Sequence, residues 1–146
     1  MHSDVRTLYL IRIVQLECRS MMADALQSFD LSTSQYAVLS ILDRRDGLSA
    51  AQLSRRFRVT PQSINTLVSS LEERGLISRR EAPDNRRILR TTLTRSGRQL
   101  LAACDVAIDA IETELFGTLS RAEFSGFRHV LQKLAAYLHD EASIPA

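Results

Sequence analysis

The sequence predicts a mainly α-helical chain that carries one small β-hairpin. Two kinds of observation predict the helices: apolar residues recur every three or four positions along most of the chain, and residues that start helices precede several of these stripes. Two short segments, residues 76–80 and 87–93, instead carry β-branched residues in the alternating pattern of paired strands. At 146 residues the chain is long enough to bury one core, so one compact structural unit is expected.

The first predicted helix covers residues 5–29. Its apolar side chains have the spacing of one helix face; they are Leu10, Val14, Cys18, Met21, Ala25 and Phe29. The two cysteines, Cys18 and Cys104, lie in separate helical segments with no second Cys or His at metal-ligand spacing. We expect both thiols to be small buried side chains, with a redox role as the alternative.

Helix-start signals mark the next two helices. Ser32 with Gln35, and Ser49 with Gln52, form capping boxes, in which the two side chains satisfy backbone N–H groups of the first helical turn. A second helix therefore begins directly after Ser32 and ends before Gly47. A short third helix follows Ser49.

The fourth helix is the best delimited. Thr60 is its N-cap, Pro61 occupies the first helical position, where its missing N–H costs nothing, and Gly75 is the left-handed stop. Its apolar face must turn inward and consists of Ile64, Leu67, Val68 and Leu71. The opposite face carries uncharged hydrogen-bonding side chains, namely Gln62, Ser63, Asn65, Thr66, Ser69 and Ser70. A solvent-facing helix without a ligand would more often carry Glu and Lys there, although an ordinary polar surface is the alternative.

Two strands follow, LISRR at 76–80 and RILRTTL at 87–93, joined by EAPDNR. Their alternation and the proline turn between them predict a hairpin. Arg86 and Arg87 then lie at its tip, and Arg79, Arg80 and Arg90 lie on its strands.

The helical period returns from Thr94 onward. One stripe consists of Leu101, Cys104, Ile108, Ile111 and Leu115. A capping box of Ser120 and Glu123 precedes a second stripe of Phe124, Phe127, Leu131, Leu134 and Leu138. Stripes with a 3.5-residue period require a partner helix, either from a second chain or from each other within one chain.

Charge is unevenly distributed. The net charge is +2, but Arg44 to Arg98 contains thirteen arginines against five acidic residues, which is +8 and leaves −6 on the flanks. A basic middle between acidic ends is typical of a protein with one part facing a polyanion, and a solvated charged face is the alternative.

Helices two to four and the hairpin together predict a winged helix-turn-helix. One helix fits the major groove of DNA, its predecessor braces it, and the hairpin arm reaches the neighbouring minor groove. The predicted contacts of the helix are Thr60, Pro61, Gln62, Ser63, Asn65, Thr66, Ser69 and Ser70. Those of the wing are Arg79, Arg80, Asn85, Arg86, Arg87 and Arg90, with the tip arginines attracted to a narrow minor groove and the strand arginines to phosphates.

The sequence gives less support to other classes of function. His129 and His139 are about three helical turns apart with no nucleophile or acid cluster around them, so an enzyme is not predicted. No metal ligand set and no other cofactor is expected. The chain has neither an apolar run long enough for a bilayer nor a secretory signal, so a cytoplasmic protein without a membrane partner is expected. A winged-helix protein-interaction module without DNA binding remains the alternative.

The segments LSTSQYAVL, LEERGLI, DNRR and LTRSG, in this order over about residues 30–101, resemble the multiple-antibiotic-resistance regulator (MarR) family. The resemblance implies a bacterial dimeric repressor or activator whose two winged domains bind the halves of a pseudo-palindrome, released by a small aromatic or phenolic effector. It implies an N-terminal dimerisation helix at 1–31, a winged domain at 32–96 and C-terminal dimerisation helices at 97–146. It places Gln62, Ser63, Asn65 and Thr66 in the major groove and Arg87 in the minor groove.

Two further sets of residues are predicted. The dimerisation residues are Leu8, Ile111, Leu115, Phe124, Phe127, Leu131 and Leu134. An effector cavity between the first two helices is predicted to use Tyr9, Arg12, Arg19 and Tyr36, with arginine for a carboxylate and tyrosine for an aromatic ring; ordinary interface roles are the alternative.

The wing departs from the family pattern at one position. Asn85 stands where the family has an aspartate that pairs with the wing arginine, here Arg87. Either Asp84 takes over from one position earlier, or the guanidinium is held more loosely.

Overall fold

The computed structural model describes residues 5–141. The ends of the two predicted dimerisation segments, residues 1–4 and 142–146, lie outside this range. The described chain is mainly helical with a small antiparallel sheet, which confirms the predicted fold class. Its elements are α1 (Thr7–Gln27), α2 (Thr33–Arg44), β1 (Leu48–Ser49), α3 (Ala50–Phe57), α4 (Pro61–Glu73), β2 (Ile77–Glu81), β3 (Leu89–Leu93), α5 (Arg95–Phe116) and α6 (Arg121–Glu141).

The predicted helix starts are confirmed by their hydrogen bonds. The Gln35 N–H donates to Ser32 Oγ at 3.1 Å and the Ser32 N–H donates back to Gln35 Oε1 at 2.9 Å. Ser49 and Gln52 repeat both bonds at 3.2 and 2.9 Å. These caps fix where α2 and α3 begin.

The sheet has the order β1-β3-β2. The hairpin pairs β2 with β3 from Ile77↔Leu93 to Glu81↔Leu89, as predicted. The strand β1, whose Leu48 pairs with Thr91, was not predicted from the sequence. Two residues are too few to show alternation, so this strand is defined by its partner and not by its own pattern.

The core lies where α2, α3, α4 and the hairpin meet the start of α5. Ile64, Val68 and Leu71 of α4 are fully buried, as predicted, whereas Leu67 is half-buried. The buried residue of α1 is Leu26, which the predicted stripe omitted; Leu10 and Val14 of that stripe are each 48% exposed.

Thr94 and Gly97 join α5 to the rest of the core. The Thr94 hydroxyl donates to the Gly75 carbonyl at 2.6 Å and accepts the Gly97 N–H at 3.0 Å. A Cβ atom on Gly97 would overlap the carbonyl oxygen of Leu76. The glycine therefore lets α5 begin in direct contact with the turn between α4 and β2.

The described residues divide into two compact units, 5–108 and 109–141. The first contains the buried core. In the second, the Phe116 ring lies 5.1 Å from that of Phe124 and 6.0 Å from that of Phe127, centre to centre. Among the α6 side chains that the structure describes, residues 121–139, none is fully buried. None of the described helices is both long and apolar enough to cross a bilayer.

Candidate nucleic-acid interface

Helix α4 is held at its start by a compact cap. Arg58 adopts a left-handed conformation (φ 52°), which turns the chain between α3 and α4. Thr60 Oγ1 accepts the Ser63 N–H at 3.1 Å and lies 2.9 Å from Ser63 Oγ. Thr60 and Ser63, both predicted DNA contacts, thus also define the N-terminus that would point into a groove.

The outer face of α4 has the predicted polar surface. Gln62, Asn65 and Thr66 are exposed, whereas Ser69 and Ser70 are half-buried. Thr66 Oγ1 donates to the Gln62 carbonyl at 3.0 Å. Ser70 Oγ instead accepts Gln35 Nε2 at 3.1 Å, so this hydroxyl faces α2. These five residues line a shallow surface groove together with Glu73.

The wing loop, residues 82–88, presents Arg86 and Arg87 at its tip, both exposed. The Ala82 N–H donates to the Ile88 carbonyl at 2.8 Å and closes the loop. Asn85 Oδ1 accepts the backbone N–H of Arg87 at 3.0 Å. The amide oxygen therefore fixes the turn through the backbone of Arg87, not through its guanidinium.

The carboxylate next to Asn85 does not replace the family aspartate. Asp84 Oδ1 lies 3.4 Å from Arg90 Nη2, on β3, instead of pairing with Arg87. Arg86 Nε is 4.0 Å from Glu81 Oε2, a long and exposed contact. Of the two alternatives raised by the sequence, the loosely held Arg87 guanidinium is the one that matches the structure.

Arg79 was predicted to contact phosphate, but its side chain is bound to Glu72 of α4. Its Nε and Nη2 atoms lie 2.9 and 2.5 Å from Glu72 Oε2, and its backbone N–H donates to Glu72 Oε1 at 3.3 Å. These hydrogen bonds hold the pKa of the Glu72 carboxyl below its ordinary value, although partial burial opposes the shift. Arg79 thus braces the root of the wing against α4. Arg80, one residue later, is exposed.

A cleft of about 710 Å³ is lined by residues of β1, α3, α4 and the wing. Besides the predicted Asn65, Arg79, Arg87 and Arg90, it is lined by Arg55 and Gln52, which sequence reasoning did not assign. Arg55 belongs to the basic middle segment, but its place beside the wing depends on how α3 packs. The cleft concentrates positive charge next to the exposed face of α4.

A second cavity, of about 380 Å³, lies beside α1 and α2. Arg19 lines it, as predicted, together with Cys18, Met22, Phe57 and Leu67 among others. Tyr9 is exposed at 56%, and Arg12 is exposed on the same helix; neither lines the cavity.

Tyr36, the fourth residue predicted for an effector cavity, is directed at α5 instead. Its hydroxyl donates to Asp105 Oδ1 at 2.7 Å. Burial, and then this hydrogen bond, raise the pKa of Tyr36 to about 12. The ring therefore joins α2 to α5 and does not face the cavity.

The residues predicted for dimerisation lie on open apolar surfaces. Leu8 is 78% exposed, and α1 also exposes Ile11 and Leu16. On α6, Phe127, Leu131 and Leu134 are between 37% and 46% exposed. Ile111, Leu115 and Phe124 are half-buried. Within residues 5–141, no group of three or more His, Cys, Asp and Glu side chains could hold a metal ion.

Comparison with known proteins identifies the family. The model of the MarR family matches residues 29–88. The HTH-type transcriptional repressor Rv2887 of Mycobacterium tuberculosis is 30% identical over 128 residues, which is 88% of this chain and 92% of the relative. The chain belongs to the MarR family. MarR proteins are transcriptional regulators, and the resemblance stated from the sequence is confirmed.

Solved structures agree with this MarR assignment. The crystal structure of Rv2887 from M. tuberculosis in complex with DNA has a TM-score of 0.76 at 30% identity and covers 90% of this chain and 98% of that one. Rv2887 in complex with salicylic acid has a TM-score of 0.73 at 30% identity, with coverages of 92% and 99%. The arrangement of helices and wing described above is thus the arrangement of MarR proteins.

Proposed function

We propose that this MarR-family chain is a sequence-specific DNA-binding transcriptional repressor that acts as a homodimer on an inverted repeat. The observation that carries the proposal is the exposed, uncharged polar face of α4 beside a wing with two arginines at its tip. Short amide and hydroxyl side chains meet base edges without paying to desolvate a charge, and the arginines supply the electrostatic attraction. Rv2887 has been solved in complex with DNA, which supports the same role here.

Residue roles follow from position. Gln62, Ser63, Asn65 and Thr66 face the major groove, and Gln62 or Asn65 can pair with adenine through two hydrogen bonds. Arg87 enters the minor groove, where A·T-rich sequence concentrates negative potential. Arg55 and Arg90, which line the cleft, contact phosphates, and so does the exposed Arg80 on β2.

Dimerisation would use the segments 1–31 and 97–146, whose described parts expose apolar side chains. A helix such as α1, whose first half exposes large apolar side chains from Leu8 to Leu16, is typical of one that is buried against another chain. A two-fold dimer presents its two α4 helices to half-sites about 10 bp apart, one turn of the duplex.

The cavity beside α1 is the proposed effector site. Rv2887 has been solved with salicylic acid, and an aromatic carboxylate suits a cavity in which one arginine, Arg19, stands among apolar side chains. Binding there would release DNA. We assign the chain no enzymatic activity, and as a regulator of chromosomal genes it would act in the cytoplasm, at the nucleoid.

A band-shift titration with the DNA upstream of the gene tests the proposal. Arg87→Ala should weaken binding by about 1–3 kcal/mol and reduce the preference for A·T at the flanks of the site. Arg121→Ala, which removes an exposed arginine at the start of α6, is the matched control and should bind as the parent does. Wild-type protein that shifts none of the upstream fragments at low salt would contradict DNA binding and favour a protein-interaction module.

A further inference from the structure

The last turn of α4 is attached to the turn between α1 and α2 by an arginine. Arg74, the C-cap of α4, donates from Nη1 to the Asp30 carbonyl at 2.6 Å and from Nη2 to the Phe29 carbonyl at 3.2 Å. Helix α1 has no basic residue in its own last turn. Arg74 therefore supplies, from another element, the cation that the carbonyl end of α1 lacks.

A second link joins the same two places. Gln35 Oε1 accepts the Ser32 N–H at 2.9 Å as part of the α2 cap. This bond orients the amide, so Nε2 donates to Ser70 Oγ at 3.1 Å. Ser70 and Arg74 lie one turn apart on α4, and both of their partners lie in residues 29–35.

These hydrogen bonds fix an orientation between α4 and the α1–α2 turn that apolar packing alone does not fix. Leu26 of α1 and Leu71 of α4 are both fully buried in the core, but apolar packing is non-directional. Two charge-assisted bonds from a planar guanidinium to adjacent carbonyls fix both the distance and the rotation of one element relative to the other.

We propose that Arg74 is a positioning residue for operator binding, which fixes the recognition helix α4 to the α1–α2 turn. The inference rests on the proposed function. In a dimer assembled through α1, this clamp transmits the geometry of the dimer to both α4 helices and so makes binding sensitive to half-site spacing. Arg74 thereby acts through the backbone of residues 29–30 and not through contact with DNA.

The test uses full-length wild type, Arg74→Met and Arg74→Lys, with Arg98→Met as the control. Methionine keeps much of the apolar stem and removes the donors, and Arg98 is an exposed arginine of the same basic segment. Each protein is titrated with duplexes whose half-sites are moved apart or together by one and two base pairs. A salt series accompanies each titration.

Arg74→Met should lose roughly tenfold in affinity at the best spacing and much less at the others, because a loosened α4 can adapt to altered spacing. Arg74→Lys should recover part of the preference, and Arg98→Met should keep the wild-type profile. An equal loss at all spacings with a salt slope reduced by about one would make Arg74 a phosphate contact and overturn the proposal. An unchanged profile would overturn it as well.

Amide hydrogen exchange without DNA separates this inference from the proposed function. In Arg74→Met, the amides of residues 28–35 and 70–75 should exchange faster together, whereas Arg98→Met should match wild type. Wild-type protein that binds no duplex would refute DNA binding. The exchange experiment would still test whether Arg74 holds α4 to the α1–α2 turn. Unchanged exchange in both segments of folded Arg74→Met would refute it.

Discussion

The pair formed by Glu72 and Arg79 should stabilise both the fold and the wing, and Glu72→Gln tests it. The Glu72 carboxylate accepts two bonds from the guanidinium and one from the backbone N–H of Arg79. The two side chains are 37% and 24% exposed. Glutamine has nearly the same shape and one remaining acceptor, so the substitution removes the charge and leaves the packing.

The expected loss is about 1 kcal/mol in the free energy of unfolding. Exposed ion pairs contribute about 0–1 kcal/mol, whereas hydrogen bonds to charged groups contribute about 1.5–3 kcal/mol. Partial exposure places this pair between the two ranges. For a chain of this size, 1 kcal/mol corresponds to roughly 2–4 °C in Tm.

The effect should also depend on pH. Because Arg79 lowers the pKa of Glu72 below its ordinary value of 4.5, the folded state favours the ionised form. The stabilisation is therefore complete well above that ordinary value and is lost as the pH falls through the lowered pKa. The difference between wild type and Glu72→Gln should persist at pH of about 7 and shrink in strong acid.

Urea unfolding at equal protein concentration measures these differences. Glu73→Gln is the matched control, because it removes the same charge from an exposed neighbour. A double-mutant cycle with Arg79→Met isolates the coupling between the two side chains. Equal losses in Glu72→Gln and Glu73→Gln, or additive effects in the cycle, would refute the brace between α4 and the wing.

Three further predictions concern the core, the wing and the α2–α5 contact. Gly97→Ala should lower Tm by several degrees in a thermal melt because its Cβ would overlap a backbone carbonyl, whereas Gly126→Ala, with open space around it, should raise stability by up to about 1 kcal/mol; equal effects would contradict this packing. Asn85→Ala should weaken operator binding in a band shift and Asn85→Asp should not, because only alanine loses the acceptor for the Arg87 N–H; equal binding by both would exclude a role for that bond. Because burial raises the pKa of Tyr36 to about 12, its stabilisation is complete below the ordinary value of 10.0 and declines as pH rises through 12. Between pH 10.0 and about 12, the stability of Tyr36→Phe should therefore fall less than that of wild type, as measured by urea midpoints. Equal losses in the two proteins would argue against the raised pKa of Tyr36.

The sequence by itself determined the elements and the exposed face of the site. Capping boxes at Ser32 and Ser49, the Thr60 cap and the apolar stripe of α4 depend on contacts within a few residues, so their effects can be predicted from spacing alone. The position of the tip arginines could also be predicted from the sequence, because the residues between two paired strands must form the loop of the hairpin. These local rules were sufficient to predict a winged helix-turn-helix.

The tertiary structure decided which polar side chains are available to a ligand. Ser70 has the same sequence character as Ser69, but packing brings it to Gln35, 35 residues away. Arg74 meets carbonyls 44 and 45 residues away, and β1 exists only because β3 lies beside it. Hydrogen-bond partners depend on distances of a few tenths of an ångström between elements that are distant in sequence, and no periodicity within one segment encodes such distances.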